Sequence, residues 1–115
     1  MIKQYSSKIT GLGKYLPENK VTNDDLSTLM DTSHDWIVER TGIEERRFIA
    51  KDSTEGTASM GFKAAQQAID RAGISKDDID LIVFATLSPD YYFPGSGVLV
   101  QDLMGIGTCP ALDVR

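Results

Sequence analysis

The chain has 115 residues, 41% hydrophobic and 25% charged, with a formal net charge of −5 at neutral pH. That describes one small globular domain or part of a larger one, and the acidic balance argues against DNA or RNA as a partner. No apolar run approaches the roughly 20 residues of a membrane span, no secretory signal is visible at the start, and a single cysteine cannot make an internal disulfide, so a reducing cytoplasm is the expected compartment.

Lys8 to Gly11 reads as a first strand ending in a glycine turn, and Leu12 to Pro17 as a loop. Thr22 or Asn23 can cap a short helix from Asp24 to Met30. A second short helix runs from Ser33 to Arg40. Ser33 suits its N-cap, Asp35 its positive end, and Gly42 closes the segment. On it the single tryptophan, Trp36, stands one turn before Arg40, on the same face. A flat indole beside a planar guanidinium can sandwich a nucleobase, and the arginine can also meet a phosphate. A core tryptophan with a solvated arginine is the plainer reading and, on spacing alone, the commoner one.

Glu45 to Ala50 is a strand or extended segment. Arg46, Arg47 and Lys51 form a local basic cluster there, suited to an acidic partner or to a solvated strand end. Thr54 to Ala72 is the clearest helix, with Ala58, Gly61, Phe62, Ala65, Ile69 and Ala72 on one face. That face is built of small residues, so the helix can sit close to a sheet or another helix. Gly73 ends it, and Ser75 or Asp77 starts a short turn. Leu81 to Leu87 reads as a fully buried strand, Gly95 to Met104 as a buried helix, and Pro110 to Val114 as another apolar strand. Helices alternating with apolar strands make the class α/β.

Several motifs fail as sites. Gly11-Leu12-Gly13 lacks the third glycine of a dinucleotide fingerprint, and Pro17 breaks the helix that should follow. Gly56 and Gly61 have a phosphate-loop interval without its Lys-Ser/Thr. Asp77, Asp78 and Asp80 lack the glycine and terminal glutamate of a calcium loop. With one His and one Cys, no zinc site can be assembled, and no metal site is expected. His34 has no nucleophile placed to share a proton with it. Cys109 precedes a strand, with Pro110 next to it and no helix N-terminus to stabilise a thiolate, so it reads as a small buried hydrophobe.

The pattern Asp31-Thr32-Ser33, Trp36-Ile37, Arg40-Thr41-Gly42-Ile43 resembles the N-terminal part of the beta-ketoacyl-(acyl-carrier-protein) synthase III family. Ile9 to Pro17, Glu45-Arg46-Arg47, Ala72-Gly73-Ile74, Leu81 to Thr86, Phe93-Pro94 and Gly105 to Val114 extend the likeness almost end to end. The resemblance implies a thiolase-like fold, five-layered αβαβα in the full enzyme. This chain would be most of the first half, stopping before the nucleophile, with the second half absent.

The implied reaction is a decarboxylating condensation of an acyl-CoA primer with malonyl-acyl-carrier protein, starting fatty-acid synthesis. It needs no metal or prosthetic group, because the CoA thioester is a substrate. The resemblance puts the reactive cysteine just beyond Arg115, so no catalytic residue is expected here. It gives Thr32, Trp36 and Arg40 to the adenine end of coenzyme A, with Trp36 and Arg40 on opposite faces of the base. Phe93 would reach across a homodimer interface to limit the partner's acyl pocket. Tyr91-Tyr92 and Gly95-Ser96-Gly97 depart from the acetyl-specific pattern and leave the primer open. The alternatives are another condensing enzyme of the superfamily, acting on long acyl, hydroxymethylglutaryl or specialised substrates, and a non-catalytic module that binds coenzyme A or assembles with other chains.

Overall fold

The computed structural model describes residues 4–115. They form two compact units, Leu16–Glu55 and the remainder. In the first, strand β1 (Lys20–Thr22) pairs antiparallel with β2 (Glu45–Arg47), Val21 opposite Arg46. Helix α1 (Asn23–Ser27) follows β1 directly. The Thr22 hydroxyl accepts from the Asp25 amide at 3.1 Å, and the Asp25 carboxylate accepts from the Thr22 amide at 2.8 Å. This reciprocal cap is why the chain turns from strand to helix within one residue. Helix α2 (His34–Thr41) begins at the Ser33 cap, whose hydroxyl accepts from the Trp36 amide at 3.2 Å, and ends at Gly42 with φ 68°. That left-handed geometry favours glycine.

The second unit is built on helix α3 (Thr57–Ala72), helix α4 (Ser96–Met104) and the parallel strands β3 (Ile82–Ala85) and β4 (Ala111–Val114), with a single 3₁₀ turn at Lys76–Asp78. Its core joins Ala58, Ile69, Val100, Met104, Ile106 and Cys109, with Phe62, Ala65, Ile82 and Phe84 packed against it. The small-residue face of α3 thus packs chiefly on α4, one of the two neighbours its spacing allows, with Gly61 close against the Phe84 ring. The opposite flank carries a second close contact. The extended segment at Gly11 and Gly13 lies against the Ala64 and Ala68 carbonyls so tightly that a Cβ at either glycine would overlap them. These are packing glycines.

Both glycine-capped helices of this unit take their caps from far along the chain. Gly56 precedes α3, and the Asp90 carboxylate accepts from the Ala58 amide at 2.7 Å. Gly95 precedes α4, and the Asp113 carboxylate accepts from the Gly97 amide at 2.9 Å. A Cβ on Gly56 or Gly95 would overlap those carboxylates. The Gly95-Ser96-Gly97 stretch therefore has a local structural account, which is room for Asp113.

Three expectations change. Residues 8–11 are extended but form no strand among the described residues, since β-branched Ile9 and Thr10 acquire no ladder partner. The strand over Leu81 to Leu87 shortens to Ile82–Ala85 and is covered on one side only. Ile82 and Phe84 face the helices, while Val83 is exposed. Helix α1 ends at Ser27 rather than Met30, and the chain leaves it through a turn at Thr28 to Met30.

Candidate functional site

Helix α2 and the three residues before it make the candidate site. The Ser33 cap fixes the start of the helix, Ile37 is buried beneath it, and Trp36 therefore points away from the interior with 51% of its surface exposed. Trp36 lies outside the core of this unit. The Arg40 guanidinium lies 4.3 Å from the Trp36 ring centroid, a cation–π contact. Its ion pair with Glu39 is long, 3.9 Å.

Asp31, Thr32, Ser33 and Trp36 line an open cavity of about 300 Å³. The Thr32 hydroxyl is buried and has no hydrogen-bond partner in the described structure. A buried hydroxyl without a partner is costly. The cavity thus offers a flat π-surface and a carboxylate beside Thr32, a set suited to a heteroaromatic ring with polar edges. Thr32 and Trp36 share it, whereas Arg40 packs on the Trp36 ring outside the cavity lining.

Asn23 is a residue that sequence reading missed. It is fully buried. Its amide nitrogen donates to the Ile43 carbonyl at 2.8 Å and lies 3.5 Å from His34 Nδ1, and its oxygen accepts from Arg46 at 2.7 Å. Asn23 therefore ties the start of α2 to the segment after it. The bond also accounts for much of the basic cluster. Arg46 is engaged with Asn23 and the Val21 carbonyl, and Arg47 donates to the Glu18 carbonyl at 2.9 Å. No short-range pattern marks such a residue; only its place at a helix start is visible in the sequence.

In the other unit Cys109 is buried, and its thiol donates to the Pro110 carbonyl at 3.4 Å. That is the environment of an inert cysteine. Phe93 is 91% exposed, in a run with Tyr91 and Tyr92, and the Phe93–Pro94 peptide is cis. Arg115 lies 5.5 Å from the Tyr92 ring centroid. Among the described residues no group of carboxylates, His and Cys is placed to hold a metal, and no helix is long and apolar enough to cross a membrane.

No protein-family model matches the chain. The curated beta-ketoacyl-(acyl-carrier-protein) synthase III 1 of Vibrio parahaemolyticus is 55% identical over 108 residues, 94% of this chain and 34% of the relative. The Escherichia coli synthase III is 52% identical over the same share of this chain and 33% of its own length. Among solved structures, 3-oxoacyl-(acyl-carrier-protein) synthase III from Aquifex aeolicus superposes with a TM-score of 0.87 at 41% identity, over 95% of this chain and 34% of that one. A priming beta-ketosynthase from a polyketide pathway gives 0.85 at 31% identity, over 93% and 31%. These neighbours define the class: an α/β segment of the thiolase-like fold. Over nearly all of its length the chain is similar to beta-ketoacyl-(acyl-carrier-protein) synthase III proteins, and it spans about a third of the length of the curated relatives it matches.

Proposed function

We propose that this sequence is the coenzyme A-facing part of a condensing acyltransferase. The enzyme takes an acyl group from acyl-CoA and joins it to malonyl-acyl-carrier protein with loss of carbon dioxide. The carrying observation is 52–55% identity with curated synthases across 94% of the chain. In this reading the adenine of coenzyme A stacks on Trp36, and the unpartnered Thr32 hydroxyl donates to its edge. The acyl-accepting cysteine is not Cys109, which is buried and bonded to the backbone, and comes from outside these residues. The enzyme works as a cytoplasmic homodimer, with Phe93 reaching into the partner's acyl pocket. The exposure of Phe93 supports that role. No metal or prosthetic group takes part.

The test uses Trp36 as its own probe, since it is the single tryptophan. Coenzyme A added to the protein quenches Trp36 emission with saturation. Thr32→Val weakens the binding by about three- to tenfold, the loss of one hydrogen bond. Absence of saturable quenching removes coenzyme A from this site.

A second reading concerns the primer. The likeness to a priming beta-ketosynthase from a polyketide pathway, at a lower 31% identity, supports an alternative in which the chain starts polyketide synthesis. Preference among acyl-CoA primers of increasing length separates the two.

A further inference from the structure

We propose that Asp90 is a positioning residue: its carboxylate ties the aromatic run Tyr91-Tyr92-Phe93 to the first turns of α3 and α4 and so fixes where Phe93 stands. The inference rests on the reading above that Phe93 limits an acyl pocket. Tyr91, Tyr92 and Phe93 are 62%, 88% and 91% exposed, so their own side-chain packing holds them little. The backbone before them is fastened instead. The Thr57 hydroxyl donates to the Ser88 carbonyl at 2.6 Å, and the Ala58 amide donates to Asp90 Oδ2 at 2.7 Å. The Ser96 hydroxyl donates to the same oxygen at 3.4 Å. Ala58 belongs to the core and Ser96 is fully buried, so both anchor points lie in the packed interior. Asp90 and Ser96 thereby close the aromatic run into a loop pinned at both ends.

Gly56 is the other half of this contact. Asp90 Oδ1 occupies the space that a Cβ on Gly56 would take. The Gly56 backbone is extended, with φ −137°, a conformation open to any residue. A serine or aspartate there would cap α3 locally. With glycine in that place and the acceptor drawn from Asp90, the helix is capped only when the aromatic loop is seated. A wall fixed in advance also discriminates between acyl chains of different length better than one that yields.

Asp90→Ala and Gly56→Ala break the contact from its two sides, and both are tested in the complete enzyme that carries these residues. Chymotrypsin cleavage after Tyr91 and Tyr92, identified by mass, rises about fivefold in each, relative to cleavage after Phe48 in the other unit. Asp90→Asn, whose side-chain oxygen still accepts, stays within about twofold of the unaltered protein. The Asp90→Ala, Gly56→Ala double variant is cut no faster than Asp90→Ala alone, because both changes remove one contact. Equal acceleration at Phe48 means a general loss of stability and overturns the proposal, as does no acceleration at the loop. Primer choice is the second readout. Asp90→Ala moves the kcat/KM ratio between acetyl-CoA and butanoyl-CoA toward one by about threefold or more, and Asp90→Asn does not. If Phe93→Ala shifts that ratio and Asp90→Ala leaves it unchanged, Asp90 does not position Phe93 and the proposal falls. If Phe93→Ala itself has no effect, the acyl-pocket reading fails, while the chymotrypsin comparison still decides whether Asp90 holds the loop.

Discussion

Asn23 links three segments of its unit. It is completely buried and joins Ile43, His34 and Arg46. Asn23→Ala leaves the Arg46 guanidinium and the Ile43 carbonyl without that partner. The expected cost is about 1–3 kcal/mol, the penalty for stranded buried polar groups, read as a lower urea midpoint with an unchanged slope. Because Asn23 braces the start of α2, the proposed coenzyme A site predicts that the same variant also weakens coenzyme A binding. Trp36 and Arg40 were legible from sequence as neighbours on a helix face, because i and i+4 spacing is local geometry. That the two side chains touch each other in the structure depends on side-chain rotamers, which spacing does not encode.

At the scale of elements, the helices follow their local signals closely. Ser33 and Gly42 bound α2, and Gly73 closes α3, because caps act within a few residues. Strands are a different matter. β1 is the three residues Lys-Val-Thr, with no alternation long enough to read, and it exists only because Glu45–Arg47 comes alongside. Ile9 and Thr10 have equal β-propensity and no such partner, so the predicted strand there does not form. The caps of α3 and α4 were invisible for the same reason, since Asp90 and Asp113 lie far from the glycines they serve. Asp113→Ala should cost about 1 kcal/mol, the usual value of a lost N-cap, seen as a lower melting temperature. Asp113→Asn, whose side-chain oxygen still accepts, should recover most of it.

For the whole molecule, two consequences are open to measurement. The first is acid sensitivity. Hydrogen bonds from the Thr22 backbone and side chain lower the Asp25 pKa, and the Lys20 ammonium, 2.8 Å away, lowers that of Glu45. Both carboxylates are easier to ionise folded than unfolded. Their contribution is fully present above the ordinary carboxylate range and is lost as pH falls from about 4 through the lowered values. Thermal melts at pH 7 and pH 3 should therefore differ less in the Asp25→Asn, Glu45→Gln double variant than in the unaltered protein. The second concerns the uncovered face of the sheet, where Leu81, Val83, Leu112 and Val114 are exposed. Such a patch binds hydrophobic dyes and promotes association. Val83→Lys with Leu112→Glu should lower dye fluorescence and delay self-association on concentration, followed by light scattering.

The borrowed cap on α4 also acts as a proofreader of strand pairing. Phe84 stands opposite Asp113 in the parallel ladder, and side chains alternate faces along a strand. A slip of one residue would turn Asp113 to the far side of the sheet and put Leu112 or Val114 against the start of α4. The helix would then lose its acceptor while a bulky apolar group entered the space kept open by Gly95. One carboxylate thus penalises the wrong alignment twice.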